Sequence, residues 1–323
     1  MPEGVAAMLE AVGQAVRVAE VHVHGAPQGH ALVRMVAARV GDADRAAWSG
    51  AFTGRLPLIL GAEGAGVVEE LGPGTERLRR GEHVLVMDER AFVPARAGAA
   101  AAFRPVGTYA TYALVPERRL LRVHPALSLH RVAEAGGAIL AGYAAGLKAS
   151  ERAAGGALVV VGLGDVGQGA LAAALSGPVA RVIAVDRRPG RLAWAAALGA
   201  EAIAADHRDL GRAVRAAAGG RGADVAVVTG DTGGPTLRTS TMLRPGAGAL
   251  HAVRITRTAD GTGEDGADGE EPEALVDRFA HDRRAMTALS GPDGGLEDLS
   301  DLLAAGERAG AGAPLLELSF DMP

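Results

Sequence analysis

The sequence predicts an α/β protein in which a doubly wound parallel sheet domain follows a mostly antiparallel β domain. First, short valine-rich runs separated by turn residues fill positions 1 to about 120, whereas strands alternate with helices from position 157 onward. Second, residues 157–175 join an apolar run to a glycine-rich turn and then to an alanine-rich helix. Third, 323 residues are enough for two domains.

The N-terminal part reads as an antiparallel sheet. Its runs, among them HALVRMVAARV and GTYATYALVPERRLLRVH, alternate apolar and polar residues and are punctuated by glycine and proline. A segment with helical spacing, HRVAEAGGAILAGYAAGLKASERA, then leads to the parallel part. We assign residues 1–148 and 295–323 to the antiparallel domain and residues 149–294 to the parallel one.

The second part has the βαβ pattern of a parallel sheet covered on both faces. ALVVVG, RVIAVD, EAIAAD, DVAVVTG and GALHAVRI are the predicted strands, and the first predicted helix covers 168–176. In such sheets ligands bind outside the carboxyl ends of the strands. The acidic, glycine-rich stretch 257–273 cannot bury enough apolar area to offset ordering, so we predict a mobile loop there.

The glycine-rich turn Gly162-Leu163-Gly164-Asp165-Val166-Gly167 indicates a Rossmann dinucleotide site. Gly162 permits the turn, Gly164 lets the backbone approach a pyrophosphate, and Gly167 lets the helix pack against the strand. Phosphates would bind the unpaired N–H groups at the helix N-terminus. We therefore predict that these glycines, with Asp165 and Val166, contact NAD or NADP.

Three further positions bear on the cofactor. Asp186 ends the next strand, 24 residues after Gly162, where a carboxylate accepts hydrogen bonds from ribose hydroxyls. Asp186 repels a 2′-phosphate and favours NAD, whereas Arg187 and Arg188 could accommodate NADP. The sequence favours NAD but leaves NADP open. Thr229 ends a later strand at the same crevice, where it could touch the cofactor or have no function.

Composition excludes several classes of function. Cysteine is absent, which rules out disulfides, thiolate nucleophiles and cysteine-ligated metals. The net charge is −5 and charges of both signs are interspersed, so nucleic acid is not an expected partner. No apolar run reaches the roughly 18 residues of a membrane span, and the N-terminus lacks the pattern of a signal peptide. We expect a cytoplasmic protein with no membrane partner.

Motifs spread over most of the chain resemble the medium-chain dehydrogenase/reductase superfamily, and within it the zinc alcohol dehydrogenases. LGAEGAGVVEELGPGTERLRRGEHVLV at 60–86 is similar to the GHExxGxVxxxGxxVxxxxxGDxV segment of that family, and GTYATYALVPE at 107–117 to another of its segments. GLGDVGQGALAAAL and AVDRRPGRLAWAAALGAE are similar to its cofactor fingerprint and continuation. The resemblance implies a GroES-like catalytic domain before the Rossmann domain, and a homodimer formed through a last Rossmann strand near 285–291.

The chain departs from the family at the catalytic zinc. The family pattern C-x-T-D becomes Gly41-Asp42-Ala43-Asp44, the histidine of GHE becomes Ala62, and the third ligand aligns with Gly137. The segment that holds a structural zinc in the family also lacks ligands here. We predict no zinc at either site and a hollowed pocket that admits a bulkier substrate.

The expected activity is therefore a zinc-independent, NAD(P)H-dependent reduction of a conjugated or otherwise activated small molecule, in specialised metabolism. Zinc-free relatives include quinone and enoyl reductases and the reductive cyclases of polyene tetramate macrolactams, so ring closure of a polyene is one form of the prediction. Two alternatives stay open: a non-catalytic or redox-neutral ligand-binding or cyclase descendant, and an alcohol dehydrogenase that acts without zinc. Asp44, Glu63 and Tyr109 are the candidate catalytic residues, although each could instead brace the backbone, pair with an arginine or pack.

Overall fold

The protein is described from a computed structural model. The structure describes residues 3–51, 56–87, 107–229, 239–251, 271–289, 293–305 and 315–317. Within these ranges the chain forms two antiparallel or mixed sheets and one parallel sheet, joined by helices. No helix in the described ranges is long and apolar enough to cross a membrane.

The N-terminal elements build the first two sheets. They are β1 (Glu3–Leu9), β2 (Arg17–His22), β3 (His30–Arg39), the short helix α1 (Asp42–Ala46), β4 (Leu58–Ile59), β5 (Gly64–Leu71), β6 (His83–Val86), β7 (Tyr112–Pro116) and β8 (Leu120–Arg122). β2, β1 and β4 form one antiparallel sheet, and β3 pairs antiparallel with both β5 and β7 in the other. β3 is buried along most of its length, as its valine- and alanine-rich sequence predicts.

Two helices lead to the parallel sheet, namely α2 (Leu129–Glu134) and α3 (Gly137–Arg152). α3 packs closely against the helix that follows the glycine turn. A Cβ atom at Gly142 would lie 1.8 Å from the carbonyl oxygen of Val166, so a larger residue there would push the two helices apart. The glycine turn is therefore held against α3.

The parallel sheet alternates strands and helices, as the sequence predicts. Its elements are β9 (Ala157–Val161), α4 (Asp165–Ser176), β10 (Arg181–Asp186), α5 (Pro189–Ala197), β11 (Glu201–Ala204), α6 (Leu210–Ala217), β12 (Ala223–Val228) and β13 (Leu243–His251). Among the described strands the order is β11-β10-β9-β12-β13, and every pair is parallel. Every residue of β9 is buried, because the sheet is covered on both faces. The strand order reverses between β9 and β12, which is where such sheets bind ligands.

The remaining elements return the chain to the sheet that contains β3. They are α7 (Pro272–His281), α8 (Arg283–Leu289), β14 (Asp293–Gly294), α9 (Leu299–Ala305) and β15 (Leu315–Glu317). β15 pairs antiparallel with the end of β3 and parallel with β14. The proposed domain boundaries, 1–148 with 295–323 and 149–294, stay a prediction.

Two sequence-based expectations differ from the structure, and a third concerns residues that the structure mostly does not describe. The helix predicted at 168–176 begins earlier, at Asp165, because the second half of the glycine turn is already its first turn. The strand expected near 285–291 is wrong: Arg283–Leu289 is the helix α8, whose buried residues recur at helical spacing. Most of the acidic stretch, from 257 to 270, lies outside the described residues.

Candidate active site

The glycine turn has the backbone geometry that its motif requires. Gly162 has a φ of +89°, a conformation that glycine adopts readily. A Cβ atom at Gly167 would lie 1.8 Å from the carbonyl oxygen of Gly162, so only glycine lets α4 approach β9 this closely. Gly164 precedes α4 and has no side chain that could cap its first-turn N–H groups. Those donors, together with the helix dipole, suit an anionic group.

Asp186 lies against this turn. Its carboxylate accepts hydrogen bonds from the backbone N–H of Leu163 at 2.6 Å and of Arg188 at 2.8 Å. The carboxylate thus ties the end of β10 to the glycine turn and to the start of α5. Arg187 and Arg188 are both exposed beside it. The structure places all three predicted residues together at the edge of the site.

Thr229 and Val166 occupy supporting positions. Thr229 follows β12, is 6% exposed, and donates a hydrogen bond from Oγ1 to the carbonyl oxygen of Gly162 at 2.8 Å. Its side chain braces the turn from the neighbouring strand. Val166 is half-buried in the first turn of α4.

A buried ion pair joins the glycine turn to the antiparallel part of the protein. Arg39, the last residue of β3, is 3% exposed, and its Nη2 donates to Asp165 Oδ1 at 2.8 Å. Its Nη1 lies 3.6 Å from Glu63 Oε2. Burial opposes the charge of Asp165, but the charge and hydrogen bond of Arg39 outweigh it and hold the pKa of Asp165 well below its ordinary value. Likewise, burial would lower the pKa of Arg39, but Asp165 and then Glu63 raise it.

The other two candidate catalytic residues surround Arg39. Asp44 is 2% exposed and accepts hydrogen bonds from the backbone N–H of Gly41 and of Gly61, each at 3.2 Å. Tyr109 is fully buried and donates from its hydroxyl to the carbonyl oxygen of Arg39 at 3.2 Å. Burial, followed by the charge of Asp44, raises the pKa of Tyr109 well above its ordinary value. Tyr109 is therefore protonated at neutral pH.

Comparisons with known proteins agree with this architecture. Residues 27–125 match the alcohol dehydrogenase GroES-like domain. An NDMA-dependent alcohol dehydrogenase of Amycolatopsis methanolica is 26% identical over 255 residues, which cover 69% of each chain. The chain therefore contains an alcohol dehydrogenase GroES-like domain and is similar to alcohol dehydrogenases, in agreement with its resemblance to the medium-chain dehydrogenase/reductase superfamily.

Solved structures show the same fold over nearly the whole chain. Benzyl alcohol dehydrogenase from Acinetobacter calcoaceticus superposes with a TM-score of 0.76 at 20% identity, covering 99% of this chain and 100% of that one. An alcohol dehydrogenase zinc-binding domain protein from Burkholderia ambifaria gives a TM-score of 0.73 at 22% identity, with the same coverage. At these identities the likeness shows the fold alone. It confirms the predicted pairing of a Rossmann domain with a GroES-like domain.

The three positions that align with zinc ligands in this superfamily are all buried here. Gly41 and Gly137 have no side chain that could coordinate a metal, and Ala62, which is 1% exposed, offers only a methyl group. Among the described residues, no group of three histidine or acidic side chains is arranged to hold a metal ion. A catalytic zinc does not fit the side chains at these three positions.

Charged side chains partly fill the space beside Gly41 and the neighbouring Gly136, and the hollowed pocket expected from the sequence stays a prediction. A Cβ atom at Gly41 would lie 3.1 Å from Arg39 Nη1 and 3.3 Å from Asp165 Oδ2. A Cβ atom at Gly136 would lie 2.0 Å from Glu63 Oε2. The guanidinium and its carboxylates thus occupy volume that larger side chains at 41 and 136 would need.

Sequence reasoning missed Arg39, although one signal was available. Arg34 and Arg39 lie five residues apart in one strand, and side chains alternate between the two faces of a strand. In a regular strand this spacing places the two arginines on opposite faces, which indicates that one of them can face inward, although β3 has an irregular register between Met35 and Ala37. The structure buries Arg39 and exposes Arg34.

We predict that Gly167→Ala lowers the free energy of unfolding by about 1–3 kcal/mol, because a Cβ atom there overlaps the Gly162 carbonyl and forces α4 away from β9. Thermal and urea unfolding measure the change. Gly248→Ala is the matched control, because its added methyl would meet no atom within 4 Å. Equal stability of both variants would contradict the close packing of the turn.

We predict that Arg39→Met costs about 3–5 kcal/mol at pH 7, because it leaves buried carboxylates without their cation. The pKa of Asp165 is depressed by Arg39, so this stabilisation is present above the unfolded-state pKa and is lost as pH falls through the folded-state value. In the variant, burial instead raises the pKa of Asp165, and protonation relieves the penalty. Urea unfolding at several pH values should show the cost shrinking from pH 7 toward about pH 4.

Arg34→Met is the control for this experiment, because Arg34 lies on the same strand but makes only an exposed contact with Glu69 at 3.8 Å. Its effect should be within about 0.5 kcal/mol of zero and independent of pH. A pH-independent loss for Arg39→Met would mean that packing, and not charge, sets its contribution.

Proposed function

We propose that this protein is a zinc-independent, NAD(P)H-dependent reductase that transfers hydride to a conjugated or otherwise activated small molecule. One observation carries the proposal. The glycine turn has the positive φ and the close packing that a dinucleotide-binding turn requires. The positions 41, 62 and 137 lack coordinating side chains, and Gly41 borders a buried Arg39–Glu63–Asp165 cluster. The superfamily itself is one of oxidoreductases, which supports redox chemistry at this site.

The residues of the glycine turn support binding of a nicotinamide dinucleotide. The first-turn N–H groups of α4 suit the pyrophosphate, and Asp186 lies where ribose hydroxyls would donate to a carboxylate. The carboxylate of Asp186 also disfavours a 2′-phosphate, so we propose a preference for NAD(H) over NADP(H) despite the neighbouring Arg187 and Arg188. When bound, the reduced nicotinamide supplies a hydride.

The nature of the acceptor follows from the missing metal ligands. A bound zinc polarises a carbonyl or acidifies an alcohol and contributes several kcal/mol to catalysis. The side chains at 41, 62 and 137 do not coordinate such a metal, so we propose an acceptor that is already electrophilic, such as an enone, a quinone or a polyene conjugated to a carbonyl group. A bound reduced nicotinamide would supply hydride to one end of such a conjugated system, and a proton from solvent would complete the reduction. In a polyene that carries a second carbonyl-conjugated double bond, ring closure would form a carbon–carbon bond to that double bond, and the displaced electron pair would pass to its carbonyl and take up the proton from solvent. We propose this form for specialised metabolism.

The three acidic or phenolic candidates have positioning roles in this proposal. Asp44 holds the backbone at Gly41 and Gly61, Tyr109 holds the carbonyl of Arg39, and Glu63 lies beside the Arg39 guanidinium. These contacts hold the backbone around the end of β3, and Glu63 also lies beside the guanidinium itself. We propose that these residues shape the cleft and that solvent provides the proton. We also propose a cytoplasmic homodimer; light scattering on the purified protein tests the oligomeric state.

A redox-neutral or non-catalytic function is a second candidate, favoured by one observation. The carboxylates of Asp165 and Asp42 lie at the N-terminus of α4, where the phosphates of a dinucleotide would bind. A protein that no longer bound the cofactor could tolerate such charges. An alcohol dehydrogenase acting without zinc is a third candidate, because the relatives are alcohol dehydrogenases by name.

The test is oxidation of NADH or NADPH by protein treated with a chelator and checked for zinc by mass spectrometry. The panel of acceptors contains an enone, a quinone and a conjugated polyene, with NDMA included because the Amycolatopsis relative depends on it. We expect absorbance loss at the nicotinamide band with at least one conjugated acceptor, and deuterium transfer from labelled cofactor to product. Gly167→Ala should abolish both signals, whereas Gly248→Ala should retain them.

Three results would contradict this proposal. Loss of activity on zinc removal, with recovery on zinc addition, would identify a metal-dependent enzyme. Oxidation of simple alcohols with NAD or NADP, but no reduction of any conjugated acceptor, would support the third candidate. Turnover of a substrate without deuterium transfer would support the redox-neutral one.

A further inference from the structure

Four charged residues meet at the N-terminus of α4, two from each side of the cleft between the antiparallel and parallel sheets. Arg39 ends β3 and Asp42 begins α1, whereas Asp165 begins α4 and Arg191 lies in α5. Arg39 Nη2 donates to Asp165 Oδ1 at 2.8 Å, and Arg191 Nη2 donates to Asp42 Oδ2 at 2.6 Å. Each arginine thus binds the carboxylate of the opposite side. We call these four residues the cleft quartet.

The quartet surrounds the same backbone that would hold a pyrophosphate. A Cβ atom at Gly164 would lie 3.4 Å from Asp42 Oδ2 and 3.5 Å from Arg191 Nη1. The backbone N–H of Asp42 donates to Asp165 Oδ2 at 3.2 Å, which places both acidic residues beside the turn. α4 is 12 residues long, so its N-terminus has a developed dipole. Two carboxylates therefore lie where this dipole attracts an anion.

The carboxylates of Asp42 and Asp165 lie where the pyrophosphate of a dinucleotide would bind, so the two cannot occupy the same position. An incoming dinucleotide carries negative phosphates, and like charges a few ångströms apart in a partly buried site repel by several kcal/mol. The repulsion between carboxylates and phosphates decreases if the phosphates bind the guanidinium groups of Arg39 and Arg191, which the carboxylates bind in this structure. Arginine suits this exchange because its planar guanidinium binds phosphate oxygens through two parallel hydrogen bonds.

Arg39 has a donor left for this purpose. Its Nη1 is buried and makes no hydrogen bond, although Glu63 lies 3.6 Å away. A buried donor without a hydrogen bond is costly, and a phosphate oxygen would satisfy it. Arg191 can change partner because Asp42 is 38% exposed and can turn to solvent.

We propose that Arg39 and Arg191 bind the pyrophosphate of the dinucleotide, and that Asp165 and Asp42 hold these arginines and bridge the cleft when the cofactor is absent. This inference rests on the proposed function, because it takes the glycine turn as a dinucleotide site. When the cofactor binds, Arg191 leaves Asp42 and binds a phosphate. Arg39 keeps its hydrogen bond from Nη2 to Asp165, and its Nη1 donates to a phosphate oxygen. Binding of cofactor then breaks one of the two ion pairs across the cleft.

The test is a titration of the whole protein with NADH and with NADPH, followed by the fluorescence of the bound nicotinamide. The variants are Asp42→Asn and Arg191→Gln, which change partly exposed side chains and leave the buried Arg39 intact. Asp42→Asn removes a negative charge near the phosphates and frees Arg191, so we expect Kd to fall at least about fivefold. Arg191→Gln breaks the same ion pair but removes a phosphate ligand, so we expect Kd to rise at least about tenfold.

The test is decisive because the two substitutions are expected to change Kd in opposite directions. If the Asp42–Arg191 pair only holds the cleft shut, both substitutions tighten binding, and the assignment of Arg191 to pyrophosphate is wrong. If neither changes Kd, the quartet has no part in cofactor binding. Arg244→Gln is the control, because Arg244 pairs with Asp224 at the surface of the same sheet and should leave Kd unchanged.

Failure of this inference is distinguishable from failure of the proposed function. Circular dichroism and thermal unfolding confirm that each variant is folded. If the wild type binds and oxidises NAD(P)H but Arg191→Gln behaves like wild type, the inference alone fails. If neither the wild type nor any folded variant binds a dinucleotide, the proposed function fails together with it.

Discussion

The buried pair of Arg39 and Asp165 is the interaction on which the site depends. It links the last residue of β3 to the first residue of α4, and so fixes the glycine turn relative to the antiparallel sheet. Removing both charges from water is costly, and the structure offsets this cost with further partners. Glu63 lies near the guanidinium, the N–H of Asp42 donates to Asp165, and Tyr109 donates to the Arg39 carbonyl.

Two small residues, one at the ligand position 41 and one beside the ligand position 137, leave space for this charged cluster. Gly41 leaves room for the guanidinium, and Gly136 leaves room for the Glu63 carboxylate. The permanently charged side chain of Arg39 lies among these positions. A guanidinium donates hydrogen bonds but does not coordinate an oxygen as a metal does, and Arg39 already donates one of its hydrogen bonds to Asp165. This arrangement is the basis of our proposal that the site transfers hydride to an acceptor that needs no metal.

The sequence predicted the elements whose signal is local. The valine-rich run of β9, the GLGDVG turn and Asp186 at the end of β10 all lie as expected, because strand pattern and turn chemistry depend on neighbours in sequence. The charged cluster could not be derived in the same way, since Arg39 and Asp165 are 126 residues apart. The strand expected at 285–291 rested on family resemblance, whereas the spacing of its buried residues was helical.

A double-mutant cycle between Arg39 and Asp165 tests the central claim most directly. The free energy of unfolding at pH 7 is measured for the wild type, Arg39→Met, Asp165→Asn and the double variant. A buried charge pair predicts that the double variant is more stable than the sum of the single losses allows, with a coupling energy of about 2 kcal/mol or more. A coupling energy within about 0.5 kcal/mol of zero would show that the two side chains act independently, and the account of the site would be wrong.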